Sequence, residues 1–201
     1  MVVSGGANSY ITLAQAISEY KTQFSRKQRF HVALVLASSF VQLKNTPWIA
    51  ETLRKTDIEF PHNAASQETT LQHDHLFVAR GFESLASRPQ LTGVDTKAIN
   101  ALGVVLLELC FGEPIERVPW RVRVEGETSD RVATNDLMAA MVWLRNVNSE
   151  AGLDYFDAVE WCLLGCTRLD LKAPWRQEML RHVVEPLQRS YSYLFERHRS
   201  I

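Results

Sequence analysis

The chain has 201 residues, 46% of them hydrophobic and 22% charged, which is typical of one soluble globular domain with a sizeable core. Its formal net charge of −1 provides no basic field that would recruit nucleic acid or anionic lipid. No apolar run reaches the roughly 18 residues of a membrane span, and three cysteines favour a reducing, cytoplasmic location over a disulfide framework.

The first predicted element is a short helix that begins with a capping box. Residues 1–9 predict a flexible lead without features of a secretion signal, so we expect the domain to occupy residues 10–201. Thr12 and Gln15 are spaced for reciprocal side-chain and backbone bonds, and the helix is expected to run from Leu13 to about Tyr20.

A second box, Ser25 with Gln28, predicts a longer amphipathic helix that ends near Lys44. Pro47 then breaks the chain before Trp48–Ile49, a short apolar anchor. The pattern weakens after this point. Short strands are predicted at residues 57–60 and 76–78, with a polar loop between them.

The most apolar segment, from about Asp95 to Phe111, predicts a helix that is buried on nearly all sides. Gly112 is well placed to end it, and Pro114 cannot continue it. Glu108 is the lone carboxylate in the apolar stretch, and we expect it to pair with an arginine or a backbone amide.

After a loop or brief extended piece, three further helices are predicted. The first runs from about Asp130 to Val147, and the residues predicted to share its apolar face are Leu137, Met141, Leu144 and Val147. The second begins with Asp154 as N-cap, and the third begins with Pro174 at its first position. Pro186 is expected to bend or interrupt the third helix.

The predicted fold is therefore a mostly α, single helical domain with at most short strand pieces. The order of its elements resembles a protein-kinase C-terminal lobe, in which the segment Ala101–Gly112 is similar to the buried central helix. A closer resemblance is to a fungal family of unknown function that is itself like a degenerate kinase C-lobe. The motifs that carry this resemblance are Ser25-Arg-Lys-Gln-Arg29, Leu36-Ala-Ser-Ser39, Gln42-Leu43, Thr46-Pro-Trp48, Asp57-Ile58, the ALGxxLLEL run and Ala158 to Leu163.

The residues that align with the catalytic positions of a kinase differ from the residues a kinase needs there. Thr52 falls where a kinase has its base-like Asp, Arg54 where it has the loop Lys, and Asp57 where it has the metal-binding Asn. The chain contains no Asp-Phe-Gly, and because about ten residues precede the first predicted helix we expect no N-lobe. We therefore expect no enzyme activity and no cofactor, and expect Asp57 to cap nearby backbone amides.

Two other groups of residues are candidates for metal or redox sites. His73 and His75, with His62 nearby, lack the closed set of four ligands that structural zinc requires, so a polar loop is favoured. Cys162 and Cys166 are spaced by one helical turn, and packed thiols explain them better than metal or redox chemistry.

The resemblance favours a non-catalytic interaction or regulatory module, linked by family association alone to fungal cell-death or self/non-self signalling. Its partner would be another protein or a missing N-terminal domain, and the oligomeric state is left open. An exposed patch is expected near Tyr10, Ile11 and Leu13, and candidate contact residues are Trp48, Ile49, Glu108 and Trp120. The alternative is a divergent phosphotransferase or nucleotide-binding protein. Arg117, Arg121 and Arg123 surround Trp120 but are expected to form a solvated mixed-charge surface with nearby glutamates.

Overall fold

The computed structural model describes residues 9–44, 54–62, 77–78, 96–123, 125–165 and 174–196. Helices predominate in these ranges, beside one small antiparallel sheet, so the prediction of a mostly α domain with short strands is confirmed. The elements in chain order are β1 Ser9–Thr12, α1 Leu13–Ser18, α2 Arg26–Leu43, β2 Ile58–His62, β3 Phe77–Val78, α3 Thr96–Phe111, a 3₁₀ turn Ile115–Arg117, α4 Ser129–Leu144, α5 Val147–Ala151, α6 Leu153–Leu163, α7 Trp175–Met179, a π turn Leu180–Val184 and α8 Glu185–Phe195.

Both predicted capping boxes are present. The Thr12 hydroxyl accepts from the Gln15 backbone N–H at 3.2 Å, and the Gln15 side-chain oxygen accepts from the Thr12 N–H at 2.9 Å. Ser25 and Gln28 make the same reciprocal pair at the start of α2. Each box satisfies two backbone groups at the helix start, which explains why α1 and α2 begin where the sequence predicts.

The sheet has the strand order β1-β2-β3, and both pairs are antiparallel. Ile11 in β1 and Phe60 in β2 are 6% and 0% exposed, so the sheet contributes one face to the core. Leu13 is fully buried as well. The expected exposed patch at Tyr10, Ile11 and Leu13 is therefore wrong for the last two residues, because pairing with β2 turns this segment onto the core, and only Tyr10 is exposed.

Helix α3 occupies the centre of the helical layer, as predicted, with α2, α4, α5 and α6 packed around it. Leu102, Leu106 and Leu109 on this helix are fully buried, and each such side chain stabilises the fold by about 1.5–3 kcal/mol. Gly103 faces α6, where a Cβ atom would lie 2.8 Å from the Cδ2 atom of Leu163. The glycine thus allows the two helices to approach each other closely.

The C-terminus of α3 is closed by Gly112 and by a side chain from α2. Gly112 has φ +63°, the left-handed conformation expected of the residue that ends a helix. The Arg29 guanidinium donates to the carbonyl oxygens of Leu109 and Cys110, each at 3.1 Å. These bonds satisfy carbonyls that the helix itself leaves without partners, and they place a cation at its negative end.

Helix α4 departs from the prediction in both its face and its end. It ends at Leu144, and Val147 begins α5. Of the predicted apolar face, Leu144 and Val147 are buried but Met141 is 38% exposed, and the other buried residues of α4 are Ala139, Ala140 and Trp143. Small side chains let α4 approach α3, and the Trp143 ring stacks on Phe111 with centroids 4.7 Å apart.

The last helices begin one or two residues away from the predicted positions. Gly152, with φ +83°, is the N-cap of α6, and Asp154 instead pairs with Arg189 of α8 at 2.8 Å. Pro174 is the N-cap of α7 rather than its first residue. The predicted interruption at Pro186 is confirmed, since a π turn occupies the chain just before α8.

Candidate functional site

The carboxyl group of Glu108 connects three separate segments. Its Oε1 atom lies 2.5 Å from Lys55 Nζ, in the turn before β2, and accepts from the Ile115 backbone N–H at 2.8 Å in the 3₁₀ turn. Lys55 also contacts Glu116 at 2.6 Å. The expected backbone amide partner is confirmed, whereas the cation is a lysine rather than an arginine.

Burial and neighbouring charges have opposite effects on the pKa values of Glu108 and Lys55. Burial raises the pKa of Glu108 to about 7, although the Lys55 ammonium and the Ile115 N–H act in the opposite direction. Burial alone would lower the pKa of Lys55, but the carboxylates of Glu108 and Glu116 outweigh it and raise that pKa. Lys55 is thus held as a cation between two carboxyl groups.

Glu108 is 1% exposed, so its carboxyl does not reach a partner or a substrate without local opening of the fold. The structure gives it an internal role, in place of the contact role that the sequence suggested. Lys55 was not singled out in the sequence, because no local pattern marks a residue whose partner lies on another element.

Asp57 has the loop role that was predicted for it. Its Oδ2 atom accepts from the Arg54 backbone N–H at 3.4 Å, and its Oδ1 atom accepts from the Thr56 hydroxyl at 3.2 Å. These bonds shape the turn that delivers Lys55 to Glu108. Thr52, which the kinase resemblance aligned with the catalytic base, lies outside the described residues, as do Trp48 and Ile49.

No cluster of His, Cys, Asp and Glu side chains suited to a metal ion occurs in the part of the chain that the structure describes. His73, His75 and Cys166 fall outside that part. Cys162 and Cys110 are buried free thiols, and burial raises the pKa of Cys110 to about 12. A thiol with so high a pKa is a packing group rather than a nucleophile.

The mixed-charge surface around Trp120 is paired internally. The Arg121 guanidinium lies 2.5 Å from Asp136 and 3.6 Å from Glu127, and its side chain is 7% exposed. Arg123 donates to the carbonyl oxygen of Glu116. The guanidinium groups of Arg121 and Arg123 therefore make most of their contacts within the fold.

Trp120 itself is 42% exposed, and its indole N–H donates to the carbonyl oxygen of Ala139 at 3.1 Å. The bond fixes the ring against α4 and leaves part of its apolar surface in solvent. Other exposed apolar side chains follow on α4 at Met138, Met141 and Val142, with exposures of 66%, 38% and 44%. Together with Trp120 these three form the apolar surface that we call the α4 face.

A concavity of about 580 Å³ lies between α6, the π turn and the start of α8. The Trp161 and His182 rings stack there, with centroids 5.7 Å apart and planes 3° from parallel. Its rim carries charges of both signs, including Glu160, Arg181 and Glu185. Because the rim has no single dominant charge, it does not select an anionic or a cationic ligand.

The geometry defines a mostly helical domain whose described ionisable core groups serve the fold, and one group of its exposed apolar side chains lies on and beside α4. No helix of the described ranges is both long and apolar enough to cross a membrane. The chain belongs to the family described as Domain of unknown function (DUF7580), whose model matches residues 6–193. Neither the curated proteins nor the solved structures gave a match to the chain.

Proposed function

We propose that this domain is a non-catalytic interaction or regulatory module on a scaffold like a degenerate kinase C-lobe. The α4 face carries the proposal, because it exposes Met138 and Val142 of the helix beside the Trp120 ring that is bonded to it. Aromatic and methionine side chains are enriched in protein interfaces. The kinase comparison is supported by sequence motifs and the order of elements.

The residues at kinase catalytic positions support the absence of phosphotransfer. Thr52 has no carboxylate to accept a proton, and Asp57 is used in its own turn. The buried free thiols Cys110 and Cys162 support action in a reducing compartment, such as the cytoplasm. A fungal origin and a link to cell-death or self/non-self signalling belong to the same proposal, by family association.

The alternative, a divergent phosphotransferase or nucleotide-binding protein, is tested by thermal unfolding. We expect millimolar ATP with Mg²⁺ or Mn²⁺ to leave the melting temperature unchanged, since a ligand that binds only the folded state would raise it. A saturable increase with nucleotide would contradict the non-catalytic proposal.

The interaction function is tested by proximity labelling in a host cell, followed by binding of purified candidates. The matched control is Gly103→Val, which is expected to lose the fold because its side chain would collide with Leu163 and Cys162. We expect proteins labelled by the wild type and not by the control, of which at least one binds the purified domain directly by calorimetry. If no such protein binds directly, the proposal fails.

A further inference from the structure

Helix α4 and its C-cap residue, Arg145, which keeps a helical backbone conformation, carry an outward stripe with a seven-residue repeat. Arg131, Met138 and Arg145 follow one another at intervals of seven, and Met141 and Val142 lie between the last two. Residues at this spacing share one side of a helix and form the seam of helix–helix packing. All five are exposed, whereas the opposite side of α4 packs on α3 and α6.

The centre of this stripe is apolar and its two ends are cationic. Arg131 and Arg145 are about 21 Å apart along the helix axis, at 1.5 Å per residue. Neither forms an ion pair with a residue of the described ranges, in contrast to the partly buried Arg121 nearby, which pairs with Asp136. The neighbouring acid, Asp130, lies 3.4 Å from Lys97 of α3.

Trp120 borders the stripe on one side. The bond from its indole to the Ala139 carbonyl places the ring within one helical turn of Met138 and Val142. The surface therefore combines a fixed aromatic ring, two flexible methionines, one valine and an arginine at each end. Tryptophan and arginine are the residue types that contribute most often to hot spots in protein interfaces.

We propose that the α4 face binds an amphipathic helix of a partner protein, with carboxylates flanking its apolar stripe at about the Arg131–Arg145 spacing. This inference rests on the proposed interaction function and specifies its partner. Charge complementarity determines the choice of occupant, because acidic flanks would pair with both arginines while the apolar stripe covers Met138 and Val142.

A second copy of the chain is the less suitable occupant. In an antiparallel pairing of two α4 helices centred on Met138, Arg131 of one copy would lie opposite Arg145 of the other. Like charges at such positions repel, and two repulsions would oppose the burial of a small apolar stripe. An acidic partner helix converts both contacts into attraction.

The test uses the whole chain and two synthetic helical peptides of roughly 18 residues, about 27 Å long. Both peptides carry the same leucine stripe; one has glutamates at its ends and the other has lysines. Binding is measured by fluorescence anisotropy at low and at high salt. The chain variants are the wild type, Met138→Glu with Val142→Glu, Arg131→Glu with Arg145→Glu, and the control Tyr193→Glu on α8.

We expect the wild type and the Tyr193→Glu control to bind the acidic peptide about tenfold more tightly than the basic one at low salt, with the difference decreasing in high salt. The double arginine variant should reverse this preference, and the Met138/Val142 variant should lose both peptides. The α4 substitutions are at exposed positions, so circular dichroism should show an unchanged fold.

Four outcomes would overturn the inference. In the first, neither peptide binds at 1 mM, and in the second, both peptides bind with equal affinity. In the third, light scattering shows that the wild type is a dimer and that Met138→Glu dissociates it. In the fourth, the chain binds phosphatidylserine vesicles and the binding depends on Met138. The third would assign the surface to a second copy, and the fourth to a membrane. Each of them would remove the α4 face as support for the proposed interaction function, which the labelling and calorimetry experiment would still test separately, since a partner found by labelling could bind elsewhere on the domain.

Discussion

The carboxyl group of Glu108 is almost fully buried and is bonded to the Lys55 ammonium. Burial and the nearby cation have opposite effects on its pKa, and together they set it. Burial raises its pKa from 4.5 to about 7. Between these two values the folded chain retains a proton that the unfolded chain releases. The free energy of unfolding contributed by this group is therefore largest at low pH and decreases as the pH rises from about 4.5 to about 7.

The variant Glu108→Gln tests this balance. Because one proton is involved, the wild type should lose up to about 1.4 kcal/mol per pH unit relative to the variant within that window, and nothing further above it. Urea unfolding of both proteins at pH 5, 6, 7 and 8 measures the difference. A wild-type advantage that increases with pH would show that Lys55 holds Glu108 ionised throughout.

A second prediction concerns the partner cation. Lys55→Met leaves Glu108 buried without its cation, so at pH 8 we expect a loss of about 3 kcal/mol in the free energy of unfolding. The loss should be smaller at pH 5, where Glu108 is protonated. Adding Glu108→Gln to Lys55→Met should recover part of it, because the uncompensated charge is gone. Equal losses at both pH values would contradict this account.

At the scale of the element, the closure of α3 depends on two residues that are distant in sequence. Gly112→Ala places a Cβ in the left-handed conformation and 2.3 Å from the Nη1 atom of Arg29. Gly126, with φ +74° and no atom within 4 Å of its Cβ position, provides a control with the backbone cost alone.

We expect Gly126→Ala to cost about 1 kcal/mol and Gly112→Ala at least about 2 kcal/mol, measured by urea unfolding. The added cost comes from displacing the Arg29 guanidinium from the carbonyls of Leu109 and Cys110. Arg29→Ala combined with Gly112→Ala should cost less than the sum of the single changes. If both glycine substitutions lowered the free energy of unfolding equally, displacement of Arg29 would not explain the cost of Gly112→Ala.

The elements show which features a sequence determines locally. The two capping boxes and Gly112 were predicted because each depends on residues within one turn of a helix end. The face of α4 was not, since hydrophobic periodicity weights large residues, whereas packing on α3 requires Ala139 and Ala140. The Lys55–Glu108 pair was also beyond local patterns, because it joins segments that meet only in the folded chain.

At the scale of the whole molecule, β1 covers one edge of β2, which is the middle strand of the sheet. Deletion of residues 1–12 would remove β1 and leave that edge of β2 without its hydrogen-bonding partner. Exposed strand edges pair with other chains, and the buried Ile11 would be lost from the core. Deletion of residues 1–8 retains β1 and serves as the control.

We expect the longer deletion to lower the melting temperature and to produce light-scattering aggregates on heating, and the shorter deletion to resemble the full chain. Calorimetry and dynamic light scattering at matched concentration measure the two effects. Aggregation of both variants to the same extent would show that the protection comes from the residues before β1.

The register of β1 against β2 also bears on synthesis at the ribosome. Ser9 aligns with His62, so roughly 50 residues must be added after the first strand before its partner exists. At 5–20 residues per second this takes roughly 3 to 10 seconds, whereas a helix such as α1 or α2 relaxes in about a microsecond. During synthesis α1 and α2 can therefore form before β1 has its partner, and β1 pairs with β2 only after residues 13–57 have been added.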